Sequence, residues 1–185
     1  PIKVLTDAID SGQLRGVVLL AGCNNLRVLH DHSHATVIKG LAANNVFLVS
    51  TGCVAGTAAK LGLMNAEAVE KYAGEGLKAF INMLNEANAG KLTEKLPLVF
   101  HMGSCVDNSR AYDLNTLMAK EWGIDTPKVP YAASAPEAMS EKAVAIGTWC
   151  VTLGMPTHVG VTPEITGSAL VDGIALQIAH DVYSG

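Results

Sequence analysis

The stretch GVVLLAGC, residues 16–23, decides the fold. Its centre, Val17 to Ala21, is apolar without interruption, and Gly16 and Gly22 bracket it. A short continuous apolar run closed by turn residues reads as a strand buried on both faces. The same design returns as NVFLVSTGC at 45–53 and LPLVFHMGSC at 96–105. Predicted strands therefore cover 16–22, 45–50 and 96–102, and THVGVT at 157–162 is a weaker fourth. Pro97 sits near the start of its run, where a strand tolerates it. A further strand near the start of the chain is possible but not required. Helical spacing fills the gaps over 29–43, 66–89, 109–122, 140–153 and 169–183, and Gly123 is placed to cap the third of these. Residues 124–137, with three prolines, read as irregular. Strand–helix–strand alternation with right-handed crossovers gives an α/β fold, a doubly wound, mostly parallel sheet with helices on both faces. Residues 1–185 form a single domain on this reading.

Composition narrows the function. Apolar residues make up 49% of the 185 and charged residues 16%, which excludes a disordered chain. Mean hydropathy is +0.28, high for a small domain, so part of the surface is expected to be covered by other protein. A net charge of −4 argues against a nucleic-acid partner. No apolar stretch is long enough for a transmembrane helix, and the first ten residues lack the apolar core of a signal peptide. Pro1 in place of an initiating Met points to a processed or excised chain. The four cysteines are far apart, which favours reduced thiols and a cytoplasmic setting.

Three of those cysteines share one position. Cys23 and Cys53 follow a glycine directly, and Cys105 follows Gly103-Ser104, each just past the carboxyl end of a predicted buried strand. In an open α/β sheet, ligands bind at that edge. Neighbouring strands are about 4.8 Å apart, so three thiolates can converge there. Thiolates are soft ligands that suit iron–sulfur, nickel, copper or zinc rather than magnesium or calcium. Buried free thiols are the alternative. The wide spacing fits no zinc finger, and three thiolates leave an iron–sulfur cluster short of a ligand. Cys150, inside the 140–153 helix, reads as a packed core thiol.

Other residues admit two readings. His30, His32 and His34 form an HDHSH run with Asp31. It reads as a solvated helix start capped by Asp31 or Ser33, or as a proton relay or metal contact near Cys23. His101, four before Cys105, is either a hydrogen-bonding neighbour of the metal site or a core histidine. Asp107 or Asn108 can cap the helix after Cys105 and so aim amide groups at an anionic cluster. Lys142 alone would read as a solvated helix lysine. Residues 52–56 lack GxGxxG spacing and a matching acidic residue, so nucleotide binding is not expected.

Longer motifs carry a resemblance. GCNN at 22–25, TGC at 51–53, HMGSCVDNSR at 101–110, ASAPE at 133–137 and MSEKAVAIG at 139–147 resemble, in order, the nickel carbon monoxide dehydrogenases. The related hybrid-cluster proteins, hydroxylamine reductases, share the strand-end cysteines, but the surroundings of Cys23 and Cys105 fit the carbon monoxide enzymes better. The resemblance implies reversible oxidation of CO with water to CO2, two protons and two electrons at a Ni-4Fe-4S centre, the C-cluster. It implies that Cys105 binds nickel and that Cys23 and Cys53 bind irons. It implies that Lys142 stabilises the bound carboxylate and that Ile146, one helical turn on, walls the substrate. It also implies a Rossmann-like C-terminal domain of a longer multidomain enzyme. The remaining ligands, a base histidine and additional 4Fe-4S clusters would lie upstream, and the domain alone would be inactive. A homodimer, a redox carrier such as a ferredoxin and an acetyl-CoA synthase are the implied partners. A hydroxylamine reductase, or a non-catalytic metal-binding domain of the same fold, stands as the alternative.

Overall fold

The computed structural model describes residues 2–162 together with Ala169, Leu170, Gly173, Ile174, Gln177 and Asp181. Five parallel strands, β1 (Gly16–Leu20), β2 (Val46–Thr51), β3 (Val99–Gly103), β4 (Tyr131–Ala135) and β5 (Thr157–Val159), form one sheet in the order β3-β2-β1-β4-β5. Helix α1 (Ile2–Asp10) precedes β1, and α2 (His32–Ala43) joins β1 to β2. Three helices, α3 (Gly52–Lys60), α4 (Ala66–Tyr72) and α5 (Glu75–Ala87), lie between β2 and β3. Helix α6 (Ser109–Trp122) leads back across the sheet to β4, and α7 (Ser140–Thr152) joins β4 to β5. The chain winds outward from β1 through β2 to β3, then returns to add β4 on the other side of β1. With right-handed crossovers this reversal puts helices on both faces, and β1 and β4 flank the switch point.

Strands β1 and β2 are buried along their whole length, as their unbroken apolar runs require. Val17, Leu19, Leu20, Leu48, Val49 and Val99 centre a core that also takes Ile38, Leu77, Ile81 and Met118 from the helices. The predicted helix over 109–122 is present, and Gly123 caps it in the left-handed conformation.

Four features depart from the sequence reading. The start of the chain is a helix, because Ile2, Leu5 and Ile9 recur at helical spacing and Lys3 pairs with Asp7 at 2.7 Å. The expected helix over 66–89 is two helices. Asn45, distant in sequence, accepts a hydrogen bond from Leu77 N–H and so caps a separate α5. Helix α3, absent from the helices expected, follows β2 at once, so Cys53 lies in a helical first turn. Most important, YAASA at 131–135, expected to be irregular, is strand β4 beside the centre of the sheet. Its small residues carry little strand signal, and its prolines at 130 and 136 bracket the strand instead of interrupting it. The helix expected over 169–183 falls largely outside the described residues.

Candidate metal centre

Strands β3, β2 and β1 are consecutive neighbours, so their carboxyl ends form one edge. Leu20 pairs with Ser50, and Cys23 and Cys53 each follow three residues later. Between β2 and β3 a bulge shifts the register so that Thr51 pairs with Gly103. Cys53 and Cys105 then each follow that pair by two residues. The bulge thus absorbs the extra residue of the third motif and keeps the three cysteines in step. Cys23 and Cys105 are half-buried and Cys53 is exposed.

Backbone geometry brings Cys105 against the Cys53 turn. Gly52 has φ +64°, a left-handed conformation that glycine adopts without strain. A Cβ built on it would lie 2.6 Å from Cys105 Cβ and 3.0 Å from its Sγ. Asn108 fixes the same loop: its Nδ2 donates to Cys105 O at 2.9 Å and its Oδ1 accepts from Thr51 Oγ1 at 2.7 Å. Asn108 stands at the N-cap of α6, yet its side chain serves this tether and does not cap. Asp107 accepts from Ser109 N and Oγ, and those bonds hold its carboxyl below the ordinary range.

From the other side of the switch point, α7 supplies a cation and an apolar wall. Lys142 Nζ lies 3.9 Å from Cys105 Sγ. Cys105, Asn108, Lys142, Ile146 and Trp149 line a cleft of about 300 Å³. Lys142 and Ile146 are one helical turn apart and present one face to it. The sequence-predicted Cys105, Lys142 and Ile146 are therefore brought together, with Trp149 and Asn108 as added members. Cys23, Cys53 and His101 are not part of this cleft. Among the described residues, no three His, Cys, Asp or Glu gather closely enough to hold a single metal ion. One ion with metal–sulfur bonds of about 2.3 Å needs its sulfurs almost in contact. A cluster places each thiolate on its own iron and suits ligands spread along three strand ends.

His101 is exposed, which removes the core-histidine reading. Its Nδ1 accepts from Gly103 N–H at 3.0 Å. The histidine run divides. His30 and His32 are exposed, but His34 is buried and its Nε2–H donates to Cys23 O at 2.9 Å. Burial lowers the His34 pKa, which favours the neutral ring. Asp31 does not cap α2, contrary to expectation. It has φ 66° and turns its carboxylate to Lys60, Thr57 and Asn24, which hold it at about 2. Cys150 is fully buried, and desolvation pushes its thiol up to about 12.

Sequence reasoning assigned Glu137 no role. Its side chain is fully buried, and it takes over the capping of α2 that Asp31 abandons. Oε1 accepts from Ser33 N at 2.9 Å and His34 N at 3.3 Å. Oε2 accepts from Asp31 N at 3.2 Å and Asn24 Nδ2 at 3.1 Å. No sequence signal pointed to it, because Asp31 and Ser33 already offered local caps for this helix.

The sequence profile of the Prismane/CO dehydrogenase family matches residues 1–185. The chain belongs to that family. It is 58% identical over its full length to the carbon monoxide dehydrogenase/acetyl-CoA synthase subunit beta of Moorella thermoacetica, of which it covers 27%. It is 54% identical to carbon monoxide dehydrogenase 1 of Carboxydothermus hydrogenoformans and covers 29% of that protein. Solved structures agree on the fold. An acetyl-CoA synthase/carbon monoxide dehydrogenase with NiZn[Fe4S4] and NiNi[Fe4S4] clusters in its alpha subunits superposes with a TM-score of 0.91 at 58% identity, covering all of this chain and 27% of that one. Carbon monoxide dehydrogenase IV from Carboxydothermus hydrogenoformans superposes with a TM-score of 0.89 at 47% identity, over all of this chain and 29% of that one. The chain thus spans less than a third of these Prismane/CO dehydrogenase relatives. No helix among its described residues is long and apolar enough to cross a membrane.

Proposed function

We propose that this chain is the cluster-binding α/β domain of a longer carbon monoxide dehydrogenase, which oxidises CO with water to CO2, two protons and two electrons. The observation that carries the reading is the cleft in which Lys142 Nζ stands 3.9 Å from Cys105 Sγ, at the edge that also carries Cys23 and Cys53. The donor set fits a nickel–iron–sulfur cluster: three thiols in step on adjacent strand ends, soft in character and not gathered for one ion. Cys105 would hold the nickel, and Cys23 and Cys53 would hold irons. When bound, such a cluster supplies the site for CO, activation of water and a store for two electrons.

The chain's own residues do the rest. Lys142 brings a fixed positive charge to the cleft, where negative charge develops on oxygen as CO becomes carboxylate. Ile146 and Trp149 make its far wall apolar, while Lys142 itself is exposed. Helix α6 begins four residues after Cys105, so its N-terminal amides favour an anionic core nearby. The further cluster ligands, the base, the homodimer, the ferredoxin-type carrier and an acetyl-CoA synthase partner belong to the whole protein on this reading.

The test is an anaerobic count of nickel, iron and sulfide on the full-length protein, with CO-dependent dye reduction on the same sample. About one nickel per chain with CO-dependent reduction is expected. Iron and sulfide without nickel, and no response to CO, would replace this reading with the hydroxylamine reductase.

A further inference from the structure

A buried carboxylate is costly unless its partners are all supplied, and a helix start can be capped locally. Here the local candidate, Asp31, occupies the N-cap and points elsewhere. The cap comes instead from Glu137, more than a hundred residues away, across the switch point between β1 and β4. All four of its hydrogen bonds go to the segment between Cys23 and α2 or to the first turn of that helix. The contact continues on both sides. Asn25 Nδ2 donates to Ala138 O at 3.2 Å. Gly22 has φ +108°, and a Cβ there would lie 2.9 Å from Ala138 Cβ. His34, capped by Glu137, holds Cys23 O. Glu137, Ala138 and the Cys23 loop therefore form one interlocked unit. Lys142 stands five residues beyond Glu137, in the first turn of α7.

We propose that Glu137 is a positioning residue that sets the Cys23 thiolate relative to the Cys105–Lys142 pair by clamping the two loops across the switch point. The proposal rests on the reading that Cys23 and Cys105 hold one cluster. Glu137 touches neither substrate nor metal and acts through Asn24, the backbone of residues 31–34 and His34. Only a group with four acceptor positions can serve all these donors at once. Groups that orient metal ligands in this way typically account for 10–100-fold in metal affinity or activity.

The test uses the full-length enzyme, matured anaerobically, with Glu137→Gln. Glutamine keeps the length and one acceptor oxygen for the α2 amides, but turns an NH2 toward Asp31 N–H and Asn24 Nδ2. The expected result is a folded enzyme with a shifted electron paramagnetic resonance signature and CO oxidation per bound nickel lowered about 10–100-fold. An unchanged signature with unchanged activity per nickel overturns the proposal, whatever happens to the melting temperature, since that is the pattern of a purely structural cap. If Glu137→Gln fails to accumulate, Asn24→Ala serves. It removes the Nδ2 that donates to Glu137 Oε2 at 3.1 Å. A smaller shift of the same signature supports the clamp, and none overturns it. A wild type with an iron-only cluster overturns the carbon monoxide reading alone, and the same spectroscopic comparison still decides the role of Glu137. A wild type without any cluster overturns both.

Discussion

Replacing Gly52 with alanine should damage the proposed metal centre from a position that carries no functional group. Two costs add. The backbone at φ +64° is left-handed, which costs an L-residue roughly 1–2 kcal/mol. The new Cβ would also stand 2.6 Å from Cys105 Cβ and 3.3 Å from Cys105 N, where carbon contacts settle at about 3.5–4.0 Å. Cys105 must then retreat by about 1 Å, and its loop cannot yield freely because Asn108 and the Thr51–Gly103 pairing hold it. Overpacking of this kind costs about 1–3 kcal/mol, for a total of about 2–5 kcal/mol. A displacement of about 1 Å at a reacting centre can lower the rate about 100-fold. The internal control is Gly56→Ala, four residues on in the same helix. Gly56 is exposed, has an ordinary helical backbone, and nothing lies within 4 Å of its missing Cβ. That change should stabilise by about 0.5–1 kcal/mol. Urea unfolding of the metal-free protein and nickel content of the matured enzyme read both variants. If Gly52→Ala matched Gly56→Ala in midpoint and bound full nickel, the packing of Cys105 on the Gly52 backbone would be refuted.

Three further outcomes are expected. Lys142→Ala in the full-length enzyme should lower CO oxidation by about 100–1,000-fold with nickel content retained, and a rate within a factor of about three of wild type would end the catalytic role of Lys142. Because burial pushes Cys150 up to about 12, its thiolate share at about pH 8 is on the order of one in ten thousand. Brief iodoacetamide treatment of metal-free protein, read by mass spectrometry, should therefore label exposed Cys53 first and Cys150 last, and equal labelling would contradict the burial. Asp31 is held at about 2 against an ordinary 3.8, so its stabilising effect is complete above the unfolded value and is lost as pH falls through about 2. The unscreened effect is about 2.4 kcal/mol, but half-exposed Lys60 leaves about 1 kcal/mol. The gap in urea midpoint between wild type and Lys60→Met should be full near pH 6 and shrink toward zero near pH 2, and a constant gap would sink the assignment.

Local pattern along the chain accounts for part of this structure. Apolar runs at 16–22 and 45–50 require strands covered on both faces, whereas the run at 96–102, expected to be buried like them, forms the edge strand β3, in which only Val99 is buried; their Gly–Cys and Gly–Ser–Cys endings put three thiols at one end of the sheet. Helical periodicity placed α2, α6 and α7, and the motifs around Cys23, Cys105 and Lys142 already marked the family. Tertiary structure decided the rest, because it depends on partners far apart in the chain. Strand β4 exists because Ala132, Ala133 and Ser134 pair with Val18, Leu19 and Leu20, not because YAASA favours extension. The break between α4 and α5 depends on a cap from Asn45. The approach of Lys142 to Cys105 depends on the chain returning to the far side of β1. Glu137 was silent in the sequence for the same reason. A carboxylate reveals that it caps a helix a hundred residues upstream only when β1 and β4 lie side by side and their loops close over it.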